Sequence, residues 1–199
     1  MVEGWSPPER CVSSDNAKRA LRAKMRAVIA GLSAAQQQDG SGRACAHLAA
    51  LEHWKRARTV MLFWPMAGEP SAEHAARLFR GTVCLPRVDW VAGVMVPAAI
   101  PGWGLGLMPP ERGVRAPGPE CPQVDPRTLD LVVVPGLSFD RLGGRLGRGA
   151  GFYDRFLAGL RAVRVGLCFD EQIVDQVPTD PGDERMHCVV SPSGVIDVT

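Results

Sequence analysis

The sequence contains no apolar run approaching the ~20 residues needed to span a bilayer. Its opening MVEGWSPPER carries prolines and acidic groups where a signal peptide needs an apolar centre, so a cytoplasmic location is expected. No C-x-x-C occurs. The six cysteines, Cys11, Cys45, Cys84, Cys121, Cys168 and Cys188, stand far apart, which gives neither zinc spacing nor a disulfide frame. They read as ordinary buried thiols. The four histidines, His47, His53, His74 and His187, show no ligand spacing and receive no chemistry. Net charge is low, at +2, which argues against a strongly basic nucleic-acid binder. The basic residues do not alternate with aromatics, which argues against a single-strand groove. No Gly-Lys pair exists, so there is no P-loop. No internal repeat or low-complexity tract is found.

What the chain does have is ordinary for a folded domain: 46% apolar and 22% charged residues over 199 positions. Glycine (22) and proline (17) are plentiful, which predicts many or long loops. Residues 1–13 read as a flexible lead, and residues 14–199 as one α/β domain. A helix is predicted from Ser14 or Asp15 as cap, with Ala17, Leu21, Met25, Val28 and Leu32 as its buried stripe. Ser33 and Gln36 form a capping box for a second helix, broken at DGSG and resumed at RACAHLAALEHWKRA.

Strands are predicted at RTVMLFWP, TVCLPRV, VAGVMV, LDLVVVPG, AVRVGLCF, MHCVVS and GVIDV, with short helices at SAEHAARLFR and FYDRFLAGL. The unbroken apolar run of LDLVVVPG suits a parallel strand buried on both faces. Residues 97–128 read as an extended surface region. The order predicts a layered α/β fold around a mostly parallel sheet.

The segment GGRLGRGAGFYDR, residues 143–155, holds five glycines and three arginines. It fails the dinucleotide fingerprint at the sixth position of GRGAGF and lies about a dozen residues beyond Val134. The underlying physics still applies. Glycine lets main-chain N–H groups approach a ligand closely, a helix starting near Gly151 adds a positive dipole end, and Arg145 and Arg148 add full charge. Together these suit a polyanion such as nucleotide phosphates. Asp154 could favour the dipole or hold Mg²⁺. A mobile, arginine-rich surface loop is the alternative.

The longer stretch VVVPGLSFDRLGGRLGRGAGFYDRFL resembles the signature of the 5-formyltetrahydrofolate cyclo-ligase family, with its V-P-G, Phe-Asp and glycine-rich Tyr-Asp. AKRALR, FWPMAGEPS and GLCFDEQIVDQVP followed by Asp183 match other family segments in order, over roughly residues 15–195. The resemblance implies a three-layer α/β/α sandwich. It implies ATP- and Mg²⁺-dependent conversion of 5-formyltetrahydrofolate to 5,10-methenyltetrahydrofolate, with ADP and phosphate released after phosphorylation of the formyl oxygen. A monomer that binds neither nucleic acid nor membrane is expected.

By the same resemblance, Lys18, Arg22, Arg145, Gly147, Arg148, Gly149, Gly151 and Tyr153 hold the nucleotide, and Arg145, Arg148 and Tyr153 are the catalytic groups. Trp64, Glu69, Arg148, Phe152 and Trp103 contact the folate, and Asp154 and Asp183 hold the metal. The chain departs from the family at Ala150 (often Gly or Lys), Phe152 (usually Tyr), Pro70-Ser71-Ala72 (an acidic residue, then Thr) and His187 (commonly Asp). Two other readings stay open: a non-catalytic nucleotide- or folate-binding relative, and a sugar-phosphate isomerase or CoA-transferase-like enzyme on a similar fold.

Overall fold

A computed structural model describes residues 12–198. Most of the expected lead, with Cys11, lies outside them. Helix α1 spans Val12–Ala30, so Ser14 and Asp15 fall inside its first turn rather than at its cap. The predicted stripe holds at Met25, with Leu21 and Val28 packed beside it, and fails at its first member. Ala17 is exposed, while Lys18, Met25 and Ile29 are buried, and Met25 and Ile29 pack on Leu137. Lys18 is tolerated there because its ammonium is paired, as described below.

Helix α2, Ala34–Ala50, opens on the predicted Ser33–Gln36 capping box. It runs unbroken through DGSG, and the break comes at Leu51, before α3 (Glu52–Arg56). Gly40 is needed for close contact, because a Cβ there would sit 3.0 Å from the Phe169 ring and 3.3 Å from Pro192. A Cβ on Gly42 meets none of the described residues within 4 Å. Urea unfolding should therefore separate the two. Gly40→Val is expected to cost about 1–3 kcal/mol by overpacking, whereas Gly42→Ala gains up to about 1 kcal/mol of helix propensity.

The strands follow as β1 (Thr59–Met61), β2 (Thr82–Asp89), β3 (Val94–Ala99), β4 (Leu131–Val134), β5 (Ser138–Phe139), β6 (Arg145–Leu146), β7 (Val163–Leu167), β8 (Cys188–Ser191) and β9 (Gly194–Asp197). Helix α4 (Glu73–Leu78) lies between β1 and β2, and α5 (Phe152–Leu157) between β6 and β7. Seven strands form one sheet in the order β3-β2-β1-β4-β7-β8-β9. Its inner pairs are parallel, and the two outer pairs, β2/β3 and β8/β9, are antiparallel.

Alternate residues point to opposite faces of a strand. Val60, Leu131, Val133, Val165 and Val190 join Leu48, Trp54 and Ala75 of α2, α3 and α4 in one core. Met61, Val132, Val134 and Val189 join Leu157 of α5 in the other. Helices thus cover both faces, as the three-layer expectation required. The described cysteines are free and buried. Burial pushes the Cys84 thiol up to about 12 and that of Cys188 to about 11, so neither is a ready nucleophile.

Three segments differ from the sequence-based expectation. The third strand begins at Val94 because Asp89 Oδ1 accepts from the amides of Val91 and Ala92 and turns the chain there. The 97–128 region is not wholly surface: Pro97–Ala99 complete β3, and Cys121 is buried. The Arg87 guanidinium holds this region by donating to the carbonyls of Pro117, Gly118 and Cys121. Lastly, the glycine-rich segment contributes β6 to a small hairpin with β5, which local propensity did not indicate.

Candidate functional site

Strands β1, β2 and β4 run parallel, and their carboxyl ends open into a cavity of about 840 Å³. The chain leaves β1 toward β2 on one side, while β4 flanks β1 on the other. Ligands of open α/β sheets bind at such a reversal. Phe63, Trp64 and Glu69 follow β1, Val88 and Trp90 close β2, and Pro135 and Gly136 follow β4. The volume lies at the upper end of the range for small-molecule sites.

One wall is cationic. Arg145 projects from β6 with its side chain only 4% exposed. Its Nη2 donates to Asp154 Oδ1 at 2.7 Å, and its guanidinium lies 5.7 Å from the centre of the Tyr153 ring. Its Nε and the Tyr153 hydroxyl are both buried without a hydrogen-bond partner among the described residues. Burial, with Glu69 nearby, pushes the Tyr153 pKa well up, so the phenol stays protonated and remains a donor. Arg22 donates from Nε to the carbonyl of Gly147 at 3.0 Å and shores the loop from α1.

Lys18 Nζ donates to Asp180 Oδ2 at 2.7 Å and to Asp183 Oδ2 at 2.5 Å. Burial alone would lower its pKa, but the two carboxylates more than offset this and the net shift is upward. The ammonium is therefore charged throughout the neutral range.

The cavity is also lined by aromatic side chains. Phe152 meets Trp90 edge-on at 5.3 Å between ring centres, and Arg112 lies over Trp90 at 5.0 Å. Trp64 lines the cavity with Arg115 at 5.1 Å from its ring. Trp103 stacks on Trp64 at 5.0 Å but does not itself line the cavity. It backs a lining residue, so of the predicted folate contacts it alone lies outside the site. Glu69, its side chain 7% exposed, accepts from Arg148 Nε at 2.9 Å and from the Met66 amide at 3.0 Å.

The loop takes its shape from an aspartate to which the sequence reading gave no role. Asp140 is 3% exposed and accepts from the amides of Leu142 (2.9 Å), Gly144 (2.7 Å) and Val177 (2.8 Å). Gly149 and Gly151 have φ of 111° and 69°, which only glycine adopts without strain. Helix α5 is six residues long, with Gly151 at its cap, so the positive character of the site comes from arginine more than from a helix dipole.

Asp154 and Asp183 both line the cavity, each engaged by a cation. Among the described residues, no three His, Cys, Asp or Glu groups gather as a metal cluster. These hard oxygen donors suit Mg²⁺, which commonly takes one or two carboxylates and completes its shell with water and phosphate oxygens.

The departures noted in the sequence fall into two groups. Ala150 and Phe152 line the cavity. Pro70-Ser71-Ala72 does not: the Ser71 amide donates to Ser41 Oγ, and Ala72 caps α4. His187 lies at the β7–β8 border, where its Nδ1 accepts from the Arg164 amide. Several cavity residues escaped the sequence reading, among them Trp90, Met95 and Arg112, which come from the β2–β3 hairpin and the loop beyond it. Asp180 escaped as well, although its place three residues before Asp183 was a signal.

An open α/β sheet with an arginine-lined, glycine-edged cavity at its strand ends is an arrangement suited to an anionic small molecule. Comparison with known proteins narrows the class. A family model described as the 5-formyltetrahydrofolate cyclo-ligase family matches residues 14–192, and the chain belongs to that family. It is 36% identical over 154 residues to the 5-formyltetrahydrofolate cyclo-ligase of Mycolicibacterium smegmatis, covering 68% of this chain and 74% of that protein. It is 28% identical over 193 residues to that of Mus musculus, covering 90% and 95%. The solved structure of Aquifex aeolicus 5,10-methenyltetrahydrofolate synthetase superposes with a TM-score of 0.80 at 27% identity, covering 91% of this chain and 92% of that one.

Proposed function

We propose that this protein converts 5-formyltetrahydrofolate to 5,10-methenyltetrahydrofolate at the expense of ATP, with Mg²⁺. One observation carries the reading: a single cavity is lined both by aromatic side chains, suited to a pterin, and by a cluster of cations, suited to a triphosphate. Family membership and the names of the relatives support it.

The formyl carbon of an N-formyl group is a poor electrophile, and its oxygen is a poor leaving group. Phosphorylating that oxygen cures both, after which folate N10 attacks the carbon and phosphate departs as the ring closes. Little covalent work falls to the protein in such a transfer; positioning and charge neutralisation supply the rate. Lys18, Arg22, Arg145 and Arg148 neutralise the phosphates, and the amides of Gly147, Gly149 and Gly151 approach them. Asp154 and Asp183 are the residues that would hold Mg²⁺, which would supply charge stabilisation to the transfer. The Tyr153 hydroxyl, which has no partner among the described residues, donates to a ligand oxygen. Glu69 accepts from the amino and ring N–H groups of the pterin, and Trp64 and Phe152 pack on the rings. Trp103 acts by supporting Trp64.

Phosphate release is the direct test. One phosphate should appear per folate consumed, and none without folate. Turnover independent of ATP would point to an isomerase or transferase instead, and nucleotide binding without turnover to a non-catalytic relative. Glu69→Gln should weaken folate binding by roughly tenfold or more, the worth of a hydrogen bond to a charged group, without a matching loss of nucleotide affinity. Isothermal titration with each ligand checks this, and equal loss of both would contradict the role.

A further inference from the structure

An ion pair joins the glycine-rich loop to the segment that follows β1. Arg148 Nε donates to Glu69 Oε1 at 2.9 Å, which bonds a residue of the proposed nucleotide loop to the proposed pterin acceptor. The pair is asymmetric. The Glu69 side chain is 7% exposed and is tied at its other oxygen to the Met66 amide. The Arg148 side chain is 37% exposed and sits between Gly147 and Gly149. Arg148 is the partner that can leave.

We propose that the Arg148–Glu69 pair couples the two substrates, so that nucleotide and folate bind cooperatively. This rests on the function proposed above. When phosphates draw Arg148 away, Glu69 is left as a nearly buried carboxylate with one amide donor, a costly state. Pterin N–H donors remove that cost. Conversely, a pterin seated on Glu69 releases Arg148, which then meets phosphate without first breaking an ion pair. Each ligand thus lowers the cost of binding the other, and by linkage the two effects are equal in size. The pair also discourages either ligand from organising the site alone.

The experiment is titration of the full chain with Mg²⁺ and a non-hydrolysable β,γ-imido ATP analogue, with and without saturating 5-formyltetrahydrofolate. Folate should tighten the analogue by about five- to twentyfold, within the usual range of such couplings. Glu69→Gln should tighten the analogue by a similar factor without folate and flatten the folate dependence, because a neutral amide holds Arg148 weakly. A merely structural ion pair would give no gain in nucleotide affinity. Equal analogue affinity with and without folate in the unsubstituted protein overturns the coupling and needs no variant, so misfolding of Glu69→Gln cannot shelter it. Persistence of full coupling in a folded Glu69→Gln overturns it as well. Analogue binding without coupling leaves the proposed function standing, whereas absence of any analogue binding removes both.

Discussion

Arg145→Ala should lower turnover by about 10²–10³-fold, the usual cost of deleting one group that stabilises transition-state charge. The guanidinium lines the cavity and is nearly buried, fixed by Asp154 at 2.7 Å and by the Pro135 carbonyl at 3.3 Å. Its buried Nε has no hydrogen-bond partner among the described residues. The loss should appear in kcat more than in KM, because the charge is needed most where the phosphoryl group is in transit. Stability should fall too, by about 1–3 kcal/mol, since Asp154 loses a charged hydrogen-bond partner. Asp154 is 26% exposed at its side chain and can recover water, so the protein should remain folded. Arg145→Lys keeps the charge but not the planar fork, and should recover only part of the rate. Steady-state kinetics with a thermal melt separates these effects. A folded Arg145→Ala protein with an unchanged rate would remove Arg145 from the chemistry.

Asp140→Ala should give the largest loss of stability. One carboxylate satisfies three main-chain amides, two of them in fully buried hydrogen bonds, and ties the glycine-rich loop to the segment at Val177. Each orphaned buried donor costs about 1–3 kcal/mol, and the sum is not strictly additive. A total on the order of 3–5 kcal/mol is expected, which lowers Tm by roughly 10–15 °C for a chain of this size. Alanine also releases the turn that carries Gly144 into Arg145, so activity should fall even below the new melting point. Asp140→Asn retains an acceptor but brings an amide group against N–H donors, and should lie between. Calorimetry with a parallel activity assay checks both. A melting point within two or three degrees of the unsubstituted protein, an order-of-magnitude margin for noise in such melts, would show that the loop is organised by something else.

Much of the scaffold could be read from the chain because it depends on local pattern. The continuous apolar run at Leu131–Val134 is a central strand buried throughout. The Ser33–Gln36 capping box starts α2 as expected. The glycine-rich segment does turn several glycines to positive φ beside arginines. Errors arose where distant contacts decide. A helical wheel of α1 places Ala17 inside, yet Lys18 is the buried residue, because Asp180 and Asp183 arrive from far along the chain. DGSG looks like a helix break, yet the helix needs Gly40 to pass Phe169 and Pro192. No local signal gives the β2–β3 hairpin a share of the cavity, since Val88, Trp90 and Met95 reach it only through sheet order. Asp140 reads as a turn aspartate until Val177 is seen beside it.

The most direct measurement is near-ultraviolet absorbance of the purified protein mixed with 5-formyltetrahydrofolate and ATP, run with and without Mg²⁺. The account predicts growth of the methenyl chromophore that requires all three additions. A flat trace with every component present, from protein that is folded and binds both ligands, would contradict it.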